Sequence, residues 1–350
     1  MSTPPAGPLV NTETSAAPGP TGLADAPLLE VEDLRVEFHT RDGVASVLNG
    51  VSYHVRAGET LAVLGESGSG KSVTANTVMG ILPVPPARIT GGAIRYRGEE
   101  LLTADEERRR ELRGEHVAMI FQDALSALNP VFTVGFQIGE QLRTRRGMSR
   151  RDARARAVEL LDMVGIPGAK QRVTSFPHEF SGGMRQRAMI AMSLALDPDV
   201  LIADEPTTAL DVTVQAQIMD LLADIQRERE MGLILITHDL GVVAEVADRI
   251  AVMYAGRIVE QGDVHQLFAE PRHPYTEALL ASIPRLDSKG TELQAIRGLP
   301  PTLTRIPSGC PFHPRCPRVR DVCRETDPPL LALPGGRASA CLFAEELAQS

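Results

Sequence analysis

Apolar residues along this chain follow two patterns that alternate with each other. From Leu28 they recur at strand spacing, through Leu29, Val31, Leu34, Val36 and Phe38 and again over 47–55, which predicts hairpin-type antiparallel strands. Short, continuously apolar runs come later, at 60–64, 117–121, 200–203, 233–237 and 250–254. Runs of this length without polar alternation predict strands buried on both faces, as in a parallel sheet.

Helical signals fill the intervals. A helix follows Ser72 to about Leu82, and Pro83-Val84-Pro85-Pro86 then interrupts regular structure before a strand at 89–96. Ser149 and Asp152 read as a capping box that opens a helix with Ala157, Leu160, Leu161 and Val164 on one stripe and Gly165 at its end. Another helix spans about 214–229, and 250–254 with 257–260 reads as a small hairpin around Ala255 and Gly256. The charged stretch 105–115, with Arg108, Arg109 and Arg110, is read as a solvated face, and the arginines of 143–156 as facing water or acidic groups on a partner. The class is α/β: an antiparallel β portion feeds a core over 28–100 and 181–270, a helical insertion occupies 101–180, and 271–350 is an extension. Residues 1–27 read as a disordered leader, without the basic start or apolar centre of a signal peptide.

Composition narrows the class. The chain has 350 residues, a formal net charge of −9 and a pI of about 5.5, so it lacks the basic footprint of a protein that coats nucleic acid. No apolar run approaches membrane-spanning length, which points to a soluble protein or one held at a membrane by a partner. All four cysteines, Cys310, Cys316, Cys323 and Cys341, fall near the end of the chain. In a reducing cytosol disulfides are disfavoured, and the cluster becomes a candidate metal site.

The strongest chemical signal is Gly65-Glu66-Ser67-Gly68-Ser69-Gly70-Lys71-Ser72, directly after the run at 60–64. A strand that ends in a glycine-rich turn and opens a helix aims backbone N–H groups and the positive helix end at one spot, which suits phosphate. Lys71 would reach the β and γ phosphates, and the Ser72 hydroxyl would ligate Mg²⁺. Phe38, just ahead, is either core packing or a ring stacked on adenine. Gln122 ends the run at 117–121, where it would sense Mg²⁺ or the attacking water. Ser181-Gly182-Gly183 opens a further helix as a second anion cradle. Asp204 and Glu205 end the next buried strand, Asp204 to hold Mg²⁺ and Glu205 to orient or deprotonate water. His238 ends a third strand of the same sheet, within reach of the γ phosphate.

In this order the motifs resemble the nucleotide-binding subunit of an ABC transporter, over about 28–265. The resemblance implies an ABC ATPase fold and gives Phe38 the adenine, residues 65–72 the Walker A role, Gln122 the Q-loop, and Ser181, Gly182 and Gly183 the signature. It further gives Asp204 and Glu205 the Walker B and base roles, Asp211, after Ala209 and Leu210, the D-loop, and His238 the switch. The signature departs from the commonest form at Phe180 and Met184, which puts one nucleotide contact in doubt. Arg272-His273-Pro274-Tyr275-Thr276, Leu299-Pro300-Pro301 and the cysteine segment are similar to the C-terminal extension of oligopeptide and dipeptide importer ATPases, most like the dipeptide-type D subunit.

That branch implies peptide import at the inner face of the cytoplasmic membrane, with nickel or another solute as the alternative cargo. It implies a related second ATPase subunit in a head-to-tail pair, two membrane permeases and, indirectly, an external binding protein, with no nucleic acid. A soluble ABC ATPase and a non-hydrolysing regulatory subunit are the competing readings. The cysteine spacing alone leaves zinc, a cluster or free thiols open; the resemblance implies a [4Fe–4S] cluster on Cys310, Cys316, Cys323 and Cys341.

Overall fold

The computed structural model of the chain describes residues 26–282 and 296–349, with 42 and 209 excepted. The expected leader therefore lies almost wholly outside the described residues, as does Ala209.

Two sheets organise the described residues. The first is antiparallel, in the order Gly43–Val55, Leu29–Thr40, Ala87–Tyr96, Glu99–Glu100. Its alternating residues Leu29, Val31, Leu34 and Val36 are buried, as the strand spacing requires. The second contains the apolar runs. Arg249–Tyr254, Thr60–Leu64, Gly232–Ile236, Val200–Asp204 and Val117–Ile120 lie side by side and parallel. Every residue of the middle three is buried, which is why no polar alternation appears in them.

Helices cover this sheet and continue into the inserted region. Ser149 caps Arg150–Met163 by accepting from the Asp152 amide, and Ala157, Leu160 and Leu161 are buried beneath that helix, as expected. The helix after Ser72 is shorter than expected: it spans Lys71–Val78. Gly80, at φ +61°, ends it, donating to the Thr77 carbonyl while Ile81 donates to Asn76. This pair of bonds is a Schellman motif, and it stops the helix before the prolines are reached.

The extension is less separate than the sequence suggests. Leu331–Leu333 and Arg337–Ser339 add antiparallel strands to the core sheet, beyond Arg257–Asp263. Phe312 is 1% exposed and meets Tyr254, Tyr275 and His273 in one aromatic cluster.

Candidate functional site

The glycine-rich turn is shaped by what lies behind it. A Cβ at Gly65 would meet the Met253 carbonyl oxygen at 2.3 Å, and one at Gly70 would meet Leu48 Cδ2 at 2.7 Å, with φ at +152° and +105°. Only glycine meets both demands. Lys71 follows, 6% exposed, with Nζ donating to the carbonyls of Gly65 at 2.7 Å and Glu66 at 3.1 Å. The loop thus wraps its own ammonium group. Burial lowers the Lys71 pKa, against the opposing pull of Glu205, Asp204 and Glu66.

Ser72 and Asp204 meet across the sheet. The Ser72 hydroxyl donates to Asp204 Oδ1 at 3.1 Å, although the two are 132 residues apart. Burial raises the Asp204 carboxyl, the Ser72 hydrogen bond opposes this, and the Glu205 charge adds to the rise. A carboxylate buried beside a hydroxyl, next to a lysine that closes a phosphate cradle, is a donor set that fits a magnesium ion.

Glu205 sits just past the strand with its backbone in the left-handed region, at φ +46°. Its Oε2 accepts from Gln122 Nε2 and from Thr208 Oγ1, each at 2.9 Å, and His238 Nδ1 lies 3.7 Å from Oε1. Gln122 is therefore held on the carboxylate. Thr208 is a partner that the motifs did not announce, although it stands only three residues from Glu205.

The remaining motif residues make other contacts. Ser181 accepts from the Met184 amide as the cap of Gly182–Ser193, and Asp211 accepts from Val214 as the cap of Val212–Arg229. Cβ positions built on Gly182 and Gly183 contact Leu210 and Val214. Among the described residues no hydrogen bond or ion pair joins Ser181, Gly182, Gly183 or Asp211 to the glycine-rich turn. Phe38 is half-buried against the core of the antiparallel sheet.

The cysteine expectation is corrected. Among the described residues no group of three or more His, Cys, Asp or Glu side chains is placed to hold a metal ion. The cysteines are free thiols that line a cavity of about 140 Å³ with Phe312 and Phe343. Burial pushes the Cys310 thiol up to about 11 and also raises Cys316 and Cys341. The cavity wall mixes apolar Phe312, Leu342 and Phe343 with Arg318, Arg320 and Glu346. The [4Fe–4S] cluster and its zinc alternative are therefore withdrawn. The Phe312 aromatic cluster supplies an apolar core to this part of the chain.

A parallel sheet with a phosphate cradle, a Ser–Asp pair and a Glu–Gln–His cluster at its strand ends defines an ATP-binding cassette ATPase. The family model described as ABC transporter matches residues 48–208, and that described as oligopeptide/dipeptide transporter, C-terminal region, matches 259–323. The chain is similar to the oligopeptide transport ATP-binding protein OppD of Salmonella typhimurium, 51% identical over 325 residues, covering 93% of this chain and 95% of that protein. It is also 51% identical to the dipeptide transport ATP-binding protein DppD of Bacillus subtilis, covering 86% and 90%. The dimeric structure of MJ0796, a bacterial ABC transporter cassette, superposes with a TM-score of 0.61 at 26% identity, over 67% of this chain and 98% of that one. This chain belongs to the family of oligopeptide and dipeptide transport ATP-binding proteins.

Proposed function

We propose that this chain binds and hydrolyses ATP to power peptide import through an ABC transporter. The observation that carries the reading is the convergence, at the strand ends, of Lys71, the Ser72–Asp204 pair and Glu205 held by Gln122 and Thr208. Lys71 supplies positive charge to the phosphates. Ser72 and Asp204 are the residues that would hold Mg²⁺, which when bound supplies charge neutralisation at the phosphate oxygens. Glu205 accepts the proton of the attacking water, Gln122 aligns the carboxylate, and His238, beside Glu205, would meet the γ phosphate. Phe38 offers a ring to the base.

Ser181, Gly182, Gly183 and Asp211 serve a second half-site. In a head-to-tail pair with a related ATPase subunit they close over the nucleotide held by that partner. The dimeric structure of the MJ0796 cassette supports this pairing, as does the lack, among the described residues, of a hydrogen bond or ion pair from these residues to the glycine-rich turn. Two permeases would take the force, with a binding protein delivering the peptide outside. No helix among the described residues is long and apolar enough to cross a membrane, and attachment to the permeases would place the chain at the inner membrane face. The divisions at 28–100, 101–180, 181–270 and 271–350 follow from the same assignment, except that Val117–Ile120, expected in the helical insertion, is a strand of the core sheet.

The test is peptide-stimulated ATP hydrolysis by the reconstituted transporter carrying Glu205→Gln. Loss of hydrolysis with retained ATP binding supports the assignment of the base; wild-type turnover refutes it.

A further inference from the structure

The glycine-rich turn is gripped from the far end of the chain. Arg315, whose side chain is 5% exposed, donates from both terminal nitrogens to the Glu66 carboxylate, at 2.6 and 2.9 Å, across 249 residues of sequence. Its Nε donates to the Arg297 carbonyl at 3.0 Å, and its guanidinium lies over the rings of Tyr254 and Phe312 at 5.8 and 6.0 Å. Arg315 is thus fixed on several sides before it reaches Glu66. The Glu66 amide in turn donates to Tyr275 Oη at 2.9 Å, from the helix Pro274–Ala281. The third group of Glu66, its carbonyl, accepts from Lys71 Nζ.

One residue of the turn therefore has its side chain and amide held by the extension while its carbonyl holds the phosphate-binding lysine. A bidentate guanidinium–carboxylate pair fixes direction as well as distance. Movement of Arg315 would turn the Glu66 peptide and carry the ammonium group with it.

We propose that Arg315, with Tyr275, is a positioning residue for nucleotide binding, through which the C-terminal extension holds Glu66 and Lys71 in the phosphate-binding arrangement. The proposal rests on residues 65–72 being the nucleotide cradle. It makes the extension a part of the ATP site, so that whatever shifts the 310–316 segment shifts nucleotide affinity.

The test is titration of the full-length chain with a fluorescent ATP analogue, alongside thermal unfolding without nucleotide. Arg315→Lys keeps the charge and loses the two-pronged geometry; Glu66→Gln removes the same ion pair from a side chain that is 25% exposed, so it tests the pair even if the arginine variant fails to fold. Each is expected to raise the Kd about tenfold, the equivalent of one charge-assisted hydrogen bond. The double variant should be no weaker than either single one, because all three lose one interaction. Wild-type affinity in the folded variants, or additive losses in the double variant, overturns the proposal. Lys71→Ala, measured in parallel, separates it from the cradle assignment. Lost binding there with wild-type affinity in the pair variants refutes the positioning role alone, and unchanged binding in Lys71→Ala refutes both.

Discussion

Glu205 shows what one residue can and cannot announce. Its place after a buried strand made it a candidate base, and the structure adds that two donors share one of its oxygens. A glutamine there keeps a carbonyl oxygen for Gln122 and Thr208 but cannot take a proton. Glu205→Gln is therefore expected to lower steady-state hydrolysis by roughly 10²–10⁴-fold, in the range of a lost general base, with a melting temperature close to wild type. Thr208→Ala removes one donor only and should cost less activity than Glu205→Gln in the same assay. Glu66 was read as one more member of the phosphate cradle, yet its carboxylate faces Arg315. Nothing near Glu66 in sequence signals a partner so far along the chain.

At the scale of elements, strand and helix types were legible because they follow from local spacing. The helix after Ser72 was expected to run to about Leu82 because the prolines marked the boundary, and it ends earlier, at Gly80. The inserted region has one point of very close backbone approach. A Cβ on Gly135, in the helix Val134–Arg146, would meet Val173 Cγ2 at 2.2 Å and its carbonyl oxygen at 2.4 Å. Gly135→Ala is expected to destabilise the fold by about 1–3 kcal/mol, the usual cost of overpacking, measured by denaturant unfolding.

The two sheets are tied together where Asp199 meets Tyr96, Arg97 and His116. Burial alone would raise the Asp199 carboxyl, but the hydrogen bonds from Tyr96, His116 and Arg97 outweigh it and hold the group below its ordinary range. A depressed carboxyl stabilises the fold above its unfolded pKa of about 3.9 and loses that contribution as pH falls through the lower folded value. The melting temperature should therefore drop through this acid range, and Asp199→Asn should flatten that part of the profile.

For the whole molecule, the proposed roles of Ser181 and Asp211 give one chain two halves of different sites, an expectation that activity can check. The purified subunit should bind ATP yet turn it over slowly until its partner is added, and sedimentation with parallel phosphate release checks this. Rapid hydrolysis by a proven monomer would refute the shared-site arrangement. The extension changes most between sequence and structure. It was expected to be organised by metal; it is organised instead by Phe312, Tyr254 and Tyr275, and by strands added to the core sheet. Cysteine spacing could not show this, since the ring contacts of Phe312 join residues from distant parts of the chain. By itself the sequence determined the buried strand runs, the phosphate-binding turn and the helix starts at Ser149 and Ser181, because each depends on residues within a few positions of one another. Only the tertiary structure decided that Ser72 meets Asp204, that Gln122 holds Glu205 and that Arg315 grips Glu66, over separations of 132, 83 and 249 residues. A local pattern carries no record of its distant partner, and such contacts exist only once sheet order and burial have brought their elements together.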